Sequence, residues 1–225
     1  MGRAARTAVV WVAGGGGVVI LSGPRERQAL SWEVMPAPAR PTVRRALVLP
    51  LLGLLGAALL NAQALDSNYY PRKAGTRWTY SSGETQIMGA AVTHRGVPVV
   101  PVSHQYGSTT YTQDLLEFRA DGSVWLRGVN VGGRLSWYAQ PLNVYPPGPL
   151  SPGMTWKGSN GAVRTVSTVT GVTPLKTAGG TFNALTIQTE TTAAGKISVQ
   201  KTYFVPTLGV VRYETADGTR IDLLR

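Results

Sequence analysis

Three Asx-Gly dipeptides divide much of this 225-residue sequence into short segments. Asp121-Gly122 separates YTQDLLEFR from VWLRGVNV, Asn160-Gly161 separates MTWKG from AVRTVSTVTGV, and Asp217-Gly218 separates VVRYET from RIDLL. Such dipeptides supply the positive φ angles that tight two-residue hairpins require. The segments between them are rich in Val, Thr and Tyr, which is typical of strands. The spacing therefore predicts a series of antiparallel hairpins.

Alternation of side chains supports these strands. Between residues 197 and 205, one predicted face carries Ile197, Val199, Tyr203 and Val205, and the other carries Ser198, Gln200 and Thr202. We expect the apolar face to be buried, with Lys201 near a strand edge or with its amine reaching water. The proline-rich stretch Pro141–Pro152 is expected to be a loop across the surface or an end of the sheet.

The whole pattern predicts an all-β fold. Roughly ten strands joined mostly by short hairpins form an antiparallel meander. Such a meander closes into a barrel, curls into a half-barrel or folds into a sandwich. The sequence leaves these three forms open.

The residues before this region have the layout of a secretory signal peptide. A basic stretch with Arg40, Arg44 and Arg45 precedes an apolar run over residues 46–60 and the tripeptide Ala62-Gln63-Ala64. This layout predicts cleavage after Ala64. We interpret residues 35–64 as the signal peptide, with translation starting at Met35, and residues 1–34 as an extension from an upstream start codon. An uncleaved leader that anchors the protein to the membrane is the alternative.

Residues 65–225 are then one exported domain, located in the periplasm, the cell envelope or the extracellular space. The sequence contains no cysteine, which excludes disulfides, thiolate metal sites and lipid attachment through a cysteine. From Leu65 onward, 15 Lys and Arg residues face 9 Asp and Glu residues, a formal charge of +6 (15 − 9). These charges are scattered, so we expect no nucleic-acid partner. We expect a monomer that meets the membrane only through its signal peptide during export.

The sequence offers no clear set of catalytic residues. Its two histidines are His94 and His104. Ser103 and His104 are adjacent on a predicted strand and must face opposite sides, as must Asp114 and Glu117. We therefore predict no catalytic residue, no metal site and no cofactor. The alternative is a hydrolase of envelope glycans or peptides in which Asp114 or Glu117 acts with His104.

Four aromatic residues form the candidate ligand-binding set: Trp125, Trp137, Tyr138 and Tyr145. They lie on the middle hairpins and next to the proline-rich stretch. Trp137 and Tyr138 are neighbours on a strand, so one of them is expected to be exposed. These rings could line a groove for lipid, glycan or peptide. In the alternative interpretation they cap the ends of the core.

Three segments carry a resemblance to known proteins: YYPRKAGTRWTY (Tyr69–Tyr80), AGGTFNALTIQTE (Ala178–Glu190) and KTYFVPTLGVVRYE (Lys201–Glu214). They resemble a set of bacterial exported domains of unassigned activity, many on lipoproteins, including the TapB-like group. The resemblance implies an antiparallel β-domain in the cell envelope and no catalytic residues to carry over. Many relatives carry a lipid-attachment cysteine that this sequence lacks.

The aromatic residues of these segments, Trp78, Phe182, Tyr203 and Phe204, are expected in the core. Together these observations predict a non-enzymatic exported β-domain. Its role is to bind an envelope component or an apolar ligand, or to serve as a scaffold.

Overall fold

The structure is a computed structural model that describes residues 69–225, and this part of the chain contains thirteen strands and no helix. The first seven strands are β1 (Arg77–Thr79), β2 (Glu84–Met88), β3 (Val92–His94), β4 (Val97–Tyr106), β5 (Thr109–Phe118), β6 (Val124–Val131) and β7 (Arg134–Tyr145). The other six are β8 (Thr155–Ser159), β9 (Val163–Thr177), β10 (Gly180–Ala193), β11 (Lys196–Val205), β12 (Gly209–Thr215) and β13 (Arg220–Asp222). The all-β prediction is confirmed.

The strands form two antiparallel sheets. A seven-stranded sheet has the order β1-β2-β4-β5-β6-β7, with β3 also paired to β4, and a six-stranded sheet has the order β13-β12-β11-β10-β9-β8. Each sheet is a meander, as predicted, and the connection from β7 to β8 passes between them. At the other side, a bridge between Tyr80 and Leu223 links the two sheets. The sheets do not close into a barrel.

Hairpin loops differ in length from the prediction. Gly122, Gly161 and Gly218 have the expected positive φ angles of 83°, 88° and 83°. However, their loops are longer than two residues, and in each loop the Asx side chain accepts a backbone hydrogen bond. Asp121 Oδ1, for example, accepts hydrogen bonds from both the backbone N–H and the hydroxyl of Ser123. Two-residue loops occur instead at Arg95-Gly96 and four other hairpins.

The core is centred on a group of aromatic rings. Tyr69, Tyr70, Tyr145 and Phe204 are buried in mutual contact, with ring centroids 5.1–6.2 Å apart. Two tryptophans near the start of a strand, Trp78 in β1 and Trp156 in β8, are buried and hydrogen-bonded. The indole of Trp78 donates to the carbonyl of Leu208 (2.6 Å), and that of Trp156 donates to the carbonyl of Val144 (3.0 Å). Trp78, Tyr203 and Phe204 are buried as predicted, with Tyr203 on the face of β11 opposite to Phe204, whereas Phe182 is half-buried.

One strand faces the opposite way to the prediction. In β11 the polar residues Gln200 and Thr202 are buried together with Phe204, whereas Ile197 on the other face is 66 % exposed. Period-two alternation identifies the two faces of a strand but not which one is inside. Here Phe204, next to Leu185 and Val210, sets the inward face, and the two polar residues follow from it by parity.

The proline-rich break is also shorter than expected. Pro141–Tyr145 belongs to β7, so the loop between the sheets begins at Pro146 and ends before β8. The predicted signal peptide, its cleavage after Ala64 and the extension over residues 1–34 lie outside the described residues. Within residues 69–225, no helix is long and apolar enough to cross a bilayer.

Candidate functional site

A buried histidine lies between two carboxylates in the seven-stranded sheet. The Nδ1 atom of His104 in β4 is 2.8 Å from Oε1 of Glu84 in β2. Its Nε2 atom is 3.2 Å from Oδ2 of Asp114 in β5. The exposed fraction is 0 % for His104 and Asp114 and 5 % for Glu84. Three neighbouring strands therefore hold one acid–histidine–acid group, which we call the His104 cluster.

Strand register explains why these residues meet. Gln86 and Thr112 are the direct cross-strand partners of His104, so all three side chains project from the same face. Glu84 and Asp114 lie two positions along on each neighbouring strand and share that face. Gln86 also donates a hydrogen bond to Glu84 Oε1 at 2.9 Å. The inner face of β2, β4 and β5 is therefore polar at this end of the molecule.

The electrostatics favour a charged imidazole. Burial alone would lower the pKa of His104, but the charge of Asp114 and hydrogen bonds to Asp114 and Glu84 outweigh it and raise the pKa to about 9. Burial likewise acts to raise the pKa of Glu84, and the contacts with His104 and Gln86 outweigh it, so this pKa is lowered. At neutral pH the cluster is an imidazolium paired with carboxylate on both sides.

This geometry limits the chemistry of the cluster. Both ring nitrogens of His104 are engaged with carboxylates, so neither is available to take a proton from a substrate. The two carboxylates lie on opposite sides of the ring, so they do not converge on one point as metal ligands must. Within residues 69–225, no group of three or more His, Asp or Glu side chains is arranged to hold a metal ion.

The residues that the sequence singled out on β4 and β5 face the sides that parity requires. His104 and Asp114 are in contact, and Ser103 faces away from His104 and accepts a hydrogen bond from Gln113. Glu117 is on the other face of β5 and pairs with Arg119 and Arg127, as the parity argument requires. Sequence reasoning missed Glu84. The signal was its period-two relation to Gln86 and to the core residue Met88 in β2.

The six-stranded sheet also buries polar side chains. Its buried polar side chains are Thr165, Ser167, Thr189, Thr191, Gln200 and Thr202. Some of them bond to each other, as Ser167 and Thr189 do at 2.8 Å. The interior between the sheets therefore has an aromatic part and a polar part. A buried acid–histidine group is tolerated in such a setting because polar neighbours reduce its desolvation cost.

Two of the four predicted ligand-binding aromatics lie on outer surfaces. Trp125 in β6 is half-buried, donates its indole N–H to Ser123 Oγ (2.7 Å) and lies 4.0 Å from the Arg119 guanidinium. Trp137 in β7 is half-buried, with its ring centroid 4.9 Å from that of His94. Each thus has its own set of neighbours.

The other two aromatics belong to the interior. Tyr145 has no exposed surface and is part of the aromatic core. Tyr138 is half-buried and packs against that core, so neither Tyr138 nor Trp137 is fully exposed as one of them was expected to be. The four residues do not share one surface, and a ligand-binding role for them stays a prediction.

A half-open cleft lies on the seven-stranded sheet, away from these four rings. Its volume is about 310 Å³. It is bordered by the segment that precedes β1, by the connection between β2 and β3, by β4 and by the end of β5. Its lining includes Arg72, Ala74, Ala91, Pro98, Val100 and Phe118.

Comparisons with known proteins give little further information. No family model matches the chain, and no curated protein matches its sequence. The chain is similar to the crystal structure of a candidate exported protein with a YmcC-like fold from Bacteroides fragilis, at 14 % identity and a TM-score of 0.41. That match covers 70 % of this chain and 97 % of the other. The resemblance to the TapB-like group stays a prediction.

Proposed function

We propose that this protein is an exported β-domain of the cell envelope that acts by binding and not by catalysis. The observation that carries the proposal is the sealed His104 cluster. Among residues 69–225 it is the one site where a histidine contacts carboxylates, and its exposed fractions are 0 %, 0 % and 5 %. A substrate cannot reach an acid or base that is covered on all sides.

The protonation state supports the same proposal. A general base works best when its pKa lies near the operating pH. His104, with a pKa of about 9, holds its proton at neutral pH. The cluster is therefore suited to a structural role in which opposite charges join three strands.

The proposal of export depends on the leader at residues 35–64 and on the resemblance in three segments. It is tested by fractionating cells that express the natural gene and sequencing the N-terminus of the exported protein. We expect a mature protein that begins at Leu65, outside the cytoplasm. A cytoplasmic protein would contradict export, and an intact leader in the membrane fraction would support the anchored alternative.

A hydrolase is the second candidate, because Asp114 does lie 3.2 Å from His104. To test it, the purified protein is incubated with envelope glycan fragments and peptides. We expect no turnover. Turnover that is lost in a folded Asp114→Asn variant and kept in an exposed control variant, Glu190→Gln, would overturn the non-enzymatic proposal.

The binding role is supported by the cleft beside Phe118. Ligand sites in proteins are mostly apolar concavities of roughly 300–1,000 Å³. The cleft falls at the small end of this range, with a volume of about 310 Å³. It therefore suits a small molecule or one segment of a larger one.

A further inference from the structure

We propose that the cleft on the seven-stranded sheet binds a small amphiphilic acid, with an alkyl tail against Pro98, Val100 and Phe118 and an acidic group at Arg72. This inference rests on the proposed binding function and names the class of ligand. It places the ligand at a different surface from the four aromatic residues that the sequence singled out.

The walls of the cleft are held in place by the backbone. The N–H of Gly75 donates to the carbonyl of Met88 (2.8 Å), which fixes the segment that precedes β1 against β2. The N–H of Gly89 donates to the carbonyl of Pro101 (2.7 Å), which fixes the β2–β3 connection against β4. A Cβ atom at Gly89 would be 2.7 Å from Pro101 Cγ, so glycine permits this close approach. A cleft with fixed walls binds without a large ordering cost.

The apolar lining of the cleft determines which kind of ligand tail it can bind. Apart from Arg72, every residue that lines the cleft is apolar or glycine. Phe118 is the largest apolar side chain of the lining, and Ala74 and Ala91 leave space where larger side chains would fill it. An alkyl chain gains affinity here because it removes its own surface and that of the cleft from water, by up to about four-fold for each CH₂ group buried.

The charge of Arg72 determines which kind of ligand head group the cleft can bind. Arg72 is the one charged residue among those that line the cleft. A guanidinium has five N–H donors, so Arg72 can contact an acid of the ligand and keep the contact that it already makes in the protein. The positive charge of residues 65–225 favours an anion as well. A cationic amphiphile would meet no opposite charge among the lining residues.

The test compares three ligands with the same chain length by isothermal titration calorimetry: decanoate, decanol and decyltrimethylammonium. We expect the purified protein to bind decanoate at least ten-fold more tightly than decanol and to show no binding of the cation. Octanoate should bind about ten-fold more weakly than decanoate, because it buries two fewer CH₂ groups.

Variants locate the site. Ala91→Trp should fill the cleft and weaken decanoate binding at least ten-fold, and Ala74→Trp should do so from the other wall. Arg72→Gln should bring decanoate and decanol within two-fold of each other. The matched controls, Ala139→Trp on an exposed part of β7 and Arg77→Gln in the exposed part of β1, should bind as the parent does.

Undiminished binding in both Trp variants would overturn the assignment of the site, as would the absence of decanoate binding. Equal affinity for decanoate and the cation would overturn the role of Arg72. Circular dichroism of each variant confirms that it is folded before binding is measured. None of these results bears on export or on the absence of turnover, so failure of this inference is distinguishable from failure of the proposed function.

Discussion

The side-chain amide of Gln86 in β2 donates a hydrogen bond to the hydroxyl of Tyr213 in β12, 3.4 Å away. The two strands belong to different sheets, so this bond joins their polar inner faces. Gln86 also donates to Glu84, which in turn contacts His104. The His104 cluster is thus connected to the second sheet, and damage to it should weaken the contact between the sheets.

Replacing Asp114 by Asn should destabilise the protein. The substitution removes the negative charge on one side of a buried imidazolium, and breaking a buried ion pair in this way costs about 3 kcal/mol or more. Urea denaturation at pH 7, followed by circular dichroism, measures the change in the free energy of unfolding. The control is Glu190→Gln on an exposed face of β10, which should stay within about 0.5 kcal/mol of the parent. Equal stability of the two variants would show that the cluster is not a structural link.

Stability should decrease on the alkaline side because of His104. Its pKa is raised from 6.5 to about 9 in the folded protein. A raised pKa contributes stability that is fully present below pH 6.5 and is lost as the pH rises through about 9. We expect the urea concentration at the midpoint of unfolding to decrease in the parent as the pH rises from 6.5 to about 9. The same midpoint should change much less over this range in His104→Gln. Identical pH profiles for the two proteins would contradict this prediction.

Glu84 should give stability the opposite pH dependence to that given by His104. Its pKa is lowered in the folded protein, so its contribution is present above its unfolded pKa of about 4.5 and is lost as the pH falls below that value. Parent protein should therefore lose stability in acid more steeply than Glu84→Gln. The comparison uses urea midpoints from pH 6 down to pH 3, and parallel curves would show that Glu84 does not respond to the cluster.

Much of the fold follows from local sequence signals. Asx-Gly dipeptides place three of the hairpins, and period-two alternation identifies strands. The assignment of Trp78 to the core also follows from sequence, since large aromatic side chains supply much of the apolar surface that a core buries. These features depend on residues close together in the chain, which is why they could be predicted.

The candidate site depends on contacts that are distant in sequence. His104 contacts Glu84, which is twenty residues away in the sequence, and Asp114, which is ten residues away. Only the register of β2, β4 and β5 brings these side chains together. Register is set by the whole sheet and its bulges, one of which lies beside His104. The inward orientation of Gln200 and Thr202 was missed for a related reason. It follows from the inward position of Phe204, whose cross-strand partner Leu185 lies nineteen residues away in the chain.

Replacing Trp78 by Phe should cost more stability than the same change at Trp125. Without the indole, the partly buried carbonyl of Leu208 loses its donor, and leaving an acceptor unsatisfied away from water costs about 1–3 kcal/mol. At Trp125 the partner is Ser123 Oγ, which keeps its hydrogen bond to Asp121. That variant should lie within about 0.5 kcal/mol of the parent. Far-UV circular dichroism in urea measures both, and a larger loss at Trp125 would contradict the assignment of these roles.

Two glycines should respond to alanine in opposite ways. Gly158 in β8 lies against β7, and a Cβ atom there would be 2.8 Å from the carbonyl oxygen of Asn143. Backbone cannot move aside as a flexible side chain can, so Gly158→Ala should cost about 1–3 kcal/mol.

Gly171 in β9 has nothing within 4 Å of such an atom. Gly171→Ala should therefore be neutral or should stabilise the protein by about 0.4–1 kcal/mol, because alanine restricts the unfolded chain. Thermal and urea denaturation of both variants test the close approach of β8 to β7, and a neutral result at Gly158 would show that the two strands are farther apart than the structure places them.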